Sequence, residues 1–238
     1  MKSFWRYVNV YDIVFISYHE PNAEQNFDDL YDRFNTVGVF GNRVKRISNV
    51  KGIHNAHVEA AKLVKTSYFY VVDGDAKVLQ DFKFAHIAEE KDIVHVYRSA
   101  NPINNLTYGY GGVKLLPTTL TLSMDTTTND MTTSISDKFK VMNEVSNTTA
   151  FNTDPFSTWK SAFRECTKLS SKTIKGQKND ETEERLHIWT TVGGDVPFGD
   201  YAIAGAIAGR EFGLSSKSDL KLINNFDWLK EKFNEQYS

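Results

Sequence analysis

Asp73-Gly74-Asp75 stands directly behind the wholly apolar run Tyr68-Phe-Tyr-Val-Val72. Two carboxylates at that spacing can face one hard divalent cation, Mn²⁺ or Mg²⁺, which prefers oxygen ligands. The glycine between them removes a side chain that would keep a diphosphate away from the backbone. A cation held there would neutralise a leaving diphosphate, which is Lewis-acid catalysis. The same residues also make an ordinary Asp-Gly turn closing a strand. Their place behind an apolar strand favours the metal, because two charges there need partners.

Further along, Tyr108-Gly-Tyr110-Gly111-Gly112 combines flat rings with accessible backbone. That suits stacking of a sugar or a flipped base, and it is also common turn material. Trp159 and Arg164 are further acceptor-side residues. Lys168, Lys172, Lys175 and Lys178 could track phosphates, with Lys114, Lys138, Lys140 and Lys160 scattered over the same half. A solvated lysine-rich loop is the alternative, and the acidic run Asp180 to Glu184 weakens the DNA case. His54 and His57 lie three apart, a spacing more often structural than metal-binding when no further ligand is adjacent.

Other standard sites are missing. There is no GxxxxGK[ST] phosphate loop, no GxGxxG behind a strand, no HExxH and no GxSxG. Gly205 and Gly209 match a membrane GxxxG pattern in a segment too short and polar to span a bilayer, so they read as a close helix contact.

Alternating elements position the two aspartates. Asp12 to Tyr18 reads as a doubly covered strand, Val44 to Ile47 as a second, the wholly apolar Tyr68 to Val72 as a central third, and Asp92 to Tyr97 and Gly112 to Leu116 as a fourth and fifth. Phe27, Leu30, Tyr31 and Phe34 recur at helical spacing, as do Ile53, Ala56, Ala60, Leu63 and Val64. This alternation predicts a parallel, doubly wound α/β sheet, with the carboxyl ends of its first three strands along one ligand-binding edge. Thr118 to Thr133 reads as loop. A helix is expected after Asp154-Pro155, then a loop over Lys168 to Lys178 and helices over Tyr201 to Phe212 and Leu220 to Phe233. With no linker and no repeat, one domain over 1–238 is expected.

The 238 residues carry 28 Lys and Arg against 30 Asp and Glu, a formal charge of −2, and are 40% hydrophobic and 24% charged. That balance excludes collagen, a disordered tail and a polybasic arm, but not a basic face for nucleic acid. The single cysteine, Cys166, allows no internal disulfide and fits a reducing compartment. No apolar run approaches the roughly 20 residues that cross a bilayer, and the first residues lack the apolar stretch of a signal peptide. A cytoplasmic protein without membrane contact is expected.

The first strand with its polar loop, Asn49-Val-Lys-Gly52-Ile-His-Asn-Ala56 leading into a helix, and Tyr-Phe-Tyr-Val-Val-Asp-Gly-Asp together resemble the nucleotide-sugar half of GT-A glycosyltransferases. The segments 98–117 and 148–165 are similar to small glycosyltransferase-type proteins of tailed bacteriophages, some associated with sugar addition to hydroxylated or hydroxymethylated cytosine in DNA. The resemblance implies a GT-A, Rossmann-like, mainly parallel sheet with a helical C-terminal part. Residues 1–117 would bind the nucleotide-sugar, and 118–238 would form the acceptor half. Asp73 and Asp75 would hold the cation and the donor diphosphate, Ser17 and Tyr18 would meet the base, and Gly52 and His54 would line the ribose. His187 or Asp195 would be a third metal ligand. Asp154 would be the general base of an inverting enzyme, or simply a helix cap. The donor implied is a UDP-sugar, the sugar arabinose or glucose, and the partner modified double-stranded DNA in the host cytoplasm. A glycan or small-molecule acceptor, or nucleotide-sugar binding without turnover, are the alternatives.

Overall fold

A computed structural model describes residues 11–35, 43–109, 111–128, 130–172 and 177–237. The chain divides into two compact units, one of residues 1–99, 108–126 and 134–148, the other of residues 100–107, 127–133 and 149–238.

Among the described residues, the first unit is built on an eight-stranded sheet. Its strands are β1 (Asp12–Ser17), β2 (Val44–Ser48), β3 (Tyr68–Asp73), β4 (Ala76–Val78), β5 (Val94–Ala100), β6 (Thr107–Tyr108), β7 (Val113–Pro117) and β8 (Phe139–Thr149). The spatial order is β2-β1-β3-β7-β5-β8-β4, with β6 pairing β5 off that path. The strands β2, β1 and β3 are parallel. β7 runs antiparallel to both β3 and β5, because no helix intervenes between β5 and β7 to carry a parallel crossover. The sheet is therefore parallel over its first three strands and mixed beyond them. Helices α1 (Ala23–Phe34) and α2 (Ile53–Leu63) form as the apolar spacing predicts.

One sheet face packs Ile13, Phe15, Tyr70, Val72, Val113 and Leu115 with Ala23 and Leu30 of α1. Alternation puts Val14, Val71 and Lys114 on the opposite face. Arg33 of α1 donates to the carbonyls of Val78 (3.1 Å) and Leu79 (2.7 Å), fastening the helix beside β4.

Several expectations shift. Asp92 has φ 68°, a left-handed conformation that cannot continue a strand, so β5 starts two residues later. The expected loop over 118–133 holds two five-residue helices, α3 (Thr118–Leu122) and α4 (Met131–Ile135). α3 gains a bond from Thr121 Oγ1 to the Pro117 carbonyl (2.8 Å).

The second unit contains α5 (Pro155–Ser170), α6 (Asn179–Thr191), α7 (Gly199–Leu214), a 3₁₀ turn (Leu220–Asn224) and α8 (Phe226–Tyr237). The acidic run is the start of α6, where Asp180 and Glu181 meet the positive end of the helix dipole. The expected helix over 220–233 breaks at Asn225, whose side chain accepts the Trp228 N–H and starts α8 afresh. α5 and α7 touch backbone to backbone. A Cβ at Gly205 or Gly209 would collide with the carbonyl oxygen of Trp159 or Phe163. Thr167 Oγ1 bridges the two helices by bonding both the Phe163 and Gly209 carbonyls (2.8 and 3.0 Å). Among the described residues no helix is long and apolar enough to cross a membrane.

Candidate functional site

The carboxyl ends of β1 and β2 open into a cleft of about 260 Å³ lined by Ser17, His19, Glu20, Ala23, Glu24, Arg46, Ser48 and Asn49. β1 delivers Ser17 and the turn into α1, and β2 delivers Arg46 and Ser48. The parallel register pairs Ser17 with Ser48 across the strands, their hydroxyls 3.3 Å apart. Two lining residues, His19 (φ 64°) and Asn49 (φ 58°), adopt the left-handed conformation without being glycine. Such backbone is costly and tends to gather at ligand sites.

Arg46 is the fixed cation of this cleft. Its guanidinium forms a two-pronged pair with Glu24 (2.7 and 2.6 Å), donates to Ser17 Oγ (3.3 and 3.2 Å), and lies 5.0 Å from the centre of the Phe27 ring. Hydrogen bonding to Glu24 raises the Arg46 pKa, and the same contact holds the Glu24 carboxyl below its usual range. A planar cation held this firmly suits recognition of a flat base or a phosphate.

Beside the cleft lies the end of β3. The Asp73 N–H donates to the Gly112 carbonyl (2.9 Å). Asn26 Nδ2 donates to the Gly74 carbonyl (3.0 Å). A side chain at Gly74 would sit 2.5 Å from Glu20 Oε2, so this glycine makes room for Glu20 as folded. Glu20 in turn accepts the Tyr18 N–H (2.6 Å). Asp73 is paired through both oxygens with Lys114 Nζ, at 3.1 and 3.0 Å. Lys114 is only 6% exposed. A hard divalent cation takes oxygen ligands, often one or two carboxylates together with substrate phosphates. Among the described residues no group of three His, Cys, Asp or Glu is placed to hold a metal ion. As folded, both carboxylate oxygens of Asp73 are engaged by the Lys114 ammonium.

Lys114 was expected among phosphate contacts; it lies instead inside the sheet, a partner that sequence distance hides. On α2, buried His57 donates from Nδ1 to the Ile53 carbonyl (2.8 Å), while its Nε2 has no hydrogen-bond partner among the described residues. Burial, and then the charge of Lys114, push the His57 pKa down to about 4. His54 is buried on the same helix, and Gly52 caps it with φ 90°, which explains a glycine there.

The acceptor-side residues are less exposed than their chemistry requires. Tyr108 is buried. Gly111 (φ 91°) passes over the Lys114 side chain, and a Cβ at Gly112 would strike the side chain of Asn147. Asn147 is itself anchored by Ser99 Oγ and Ser146 Oγ (2.9 and 2.8 Å). Tyr110 and Lys175 lie outside the described residues.

In the second unit Trp159 is a core residue, 1% exposed, whose Nε1 donates to Gln236 Oε1 (2.9 Å). It offers no open face for stacking. Arg164 is clasped to the Ile223 carbonyl (2.8 Å) and Asn224 Oδ1 (3.1 Å). Lys178 pairs with Glu181 (2.9 Å). His187 and Asp195 are exposed, on α6 and in the turn before α7. Asp154 caps α5: Oδ1 accepts the Ser157 N–H (2.9 Å) and Oδ2 the Thr153 hydroxyl (3.2 Å). Burial alone would raise its pKa, but bonds from Ser157, Thr153 and Phe156 outweigh it and hold the carboxyl below its usual range. A carboxylate so satisfied is a weaker base, and the structure gives it a cap's role.

Comparison of the sequence with family models and with curated proteins gives no match. Among solved structures, HddC from Yersinia pseudotuberculosis matches 59% of this chain and 71% of its own, at 17% identity and a TM-score of 0.35. A glycosyltransferase involved in the glycosylation of the major capsid of PBCV-1 matches 55% of this chain and 81% of its own, at 15% identity and a TM-score of 0.34.

Proposed function

We propose that this chain is a glycosyltransferase that takes its donor as a nucleotide-sugar, with the nucleotide in the β1–β2 cleft. The observation that carries the proposal is the cleft itself. It lies at the carboxyl ends of parallel strands, where open α/β sheets bind ligands. It brings together two hydroxyls, a fixed guanidinium and two left-handed residues within one small volume. Ser17 and Ser48 offer hydrogen bonds to the edge of a base, Arg46 offers a planar cation, and Asn49 brings an amide to the rim. The strand end at Asp73-Gly74-Asp75 adjoins this turn through Glu20 and Gly74, at the side where the sugar and diphosphate would extend.

Resemblance of the 98–117 and 148–165 segments to phage proteins supports hydroxymethylcytosine in duplex DNA as the first acceptor to try, with UDP-arabinose and UDP-glucose as first donors. The test is calorimetric titration with UDP, other nucleoside diphosphates and free sugars, followed by mass spectrometry of nucleosides after incubation with donor and modified DNA. Micromolar binding of a nucleoside diphosphate that is weakened by Arg46→Ala is expected, together with a sugar-sized mass gain on the acceptor. Binding without transfer to DNA or oligosaccharide, and without donor hydrolysis, would indicate a non-catalytic nucleotide-sugar module. No binding of any nucleotide would refute the assignment of the cleft.

A further inference from the structure

Lys114 occupies a position where a lysine is rarely found. It lies on β7, between β3 and β5, opposite Val71 on one side and Val96 on the other. Its side chain runs diagonally to the residue two beyond Val71 on the same face, which is Asp73. Gly111 covers the stem; a Cβ there would be 3.1 Å from Lys114 Cε. The Lys114 side chain is 7% exposed, the Asp73 side chain 37%. A buried ammonium is tolerated only when paired, and among the described residues its ion-pair partner is Asp73. A divalent cation on Asp73 would have to displace Nζ and leave it buried and unpaired.

We propose that Lys114 is the built-in counter-ion of the β3 end, excluding divalent cations from Asp73, so that the neighbouring cleft takes its nucleotide without a metal. The first part concerns the protein alone; the second rests on the cleft being the nucleotide site. Lys114 is then a positioning residue, holding both Asp73 oxygens in one orientation. The Asp73 carboxylate becomes a fixed wall of the site instead of a ligand awaiting an ion.

Mn²⁺ titration of the whole protein, followed by electron paramagnetic resonance of free Mn²⁺, tests the first part. Wild type is expected to bind Mn²⁺ no tighter than about 1 mM, the weak end of oxygen-ligand sites. Lys114→Met frees both Asp73 oxygens next to Asp75 and should bind at least tenfold tighter, with the gain lost in Lys114→Met/Asp73→Asn. Lys114→Arg keeps the charge and should stay as silent as wild type. Micromolar Mn²⁺ binding by wild type that Asp73→Asn abolishes overturns the proposal. So does the absence of any gain in a Lys114→Met protein shown to be folded by circular dichroism. UDP titration with and without excess chelator tests the second part. An unchanged Kd supports it, and a tenfold loss in chelator overturns it. If UDP binds under neither condition, the nucleotide assignment of the cleft falls and takes the second part with it. The Mn²⁺ arm still decides the role of Lys114.

Discussion

His57 makes the first unit sensitive to acid in a calculable way. Its imidazole is buried under α2, its Nδ1 hydrogen is committed to the Ile53 carbonyl, and burial together with Lys114 lowers its pKa from 6.5 to about 4. Between those values the unfolded chain takes up a proton that the folded chain refuses, so stability must fall as pH falls. The full displacement corresponds to about 3 kcal/mol. Going from pH 7 to pH 5 releases about 2 kcal/mol of it, because at pH 5 the unfolded imidazole is almost fully charged and the folded one is still neutral. Urea unfolding of wild type and His57→Gln at both pH values isolates the effect. Glutamine cannot titrate, and the carboxylates and other histidines contribute equally to both proteins. Wild type should lose about 2 kcal/mol more than the variant over that interval. Equal losses in the two proteins would mean that His57 is not held neutral by its surroundings, and the argument from burial and the Lys114 charge would fail.

Arg46→Ala should weaken nucleotide binding at least tenfold by calorimetry while changing urea stability little, because its Glu24 partner is exposed; an unchanged Kd removes Arg46 from the site. Asp154→Ala should lower stability by about 1 kcal/mol and Asp154→Asn by a few tenths, as expected for an N-cap. Equal losses in thermal unfolding would contradict the cap. Gly209→Ala should destabilise by about 2 kcal/mol or more, since its Cβ has only the Phe163 carbonyl to occupy. A melting temperature equal to wild type would show that α5 and α7 can separate at little cost.

The parts legible in the sequence are those where burial and hydrophobicity coincide. Tyr68 to Val72 is wholly apolar and wholly buried, and Phe27, Leu30 and Phe34 mark the packed face of α1. β8 escaped because its buried residues are polar. Ser146 and Asn147 are inside, while Lys140, Val141, Asn143 and Glu144 are outside. Such a strand shows no period of two in hydrophobicity. α6 escaped because its first turns are acidic, which a helix start favours but a hydrophobic scan does not detect. The strand ends, and the place of Ser17 at the end of β1, were readable from position. Arg46 and Lys114 were not, because their roles come from partners 22 and 41 residues away. Trp159 and Arg164 carry the right chemistry for an acceptor surface, but the contacts between α5 and its neighbours use it up.

The order of strands in the first unit sets a schedule for synthesis on the ribosome. β4 and β5 are made early, yet their shared neighbour β8 ends only at Thr149. Roughly sixty residues separate β4 from β8, which at ~5–20 residues per second is a delay on the order of 3–12 seconds. During that interval β1, β2, β3, β5 and β7 can already assemble, but β5 presents an open edge and β4 has no strand to join. An unpaired edge is a template for wrong partners. Only when β8 arrives do Val94 and Leu79 find the carbonyls of Lys138 and Ser146. Nascent chains shorter than about 150 residues therefore represent the stage most exposed to misassembly, and slowing translation ahead of β8 would lengthen it.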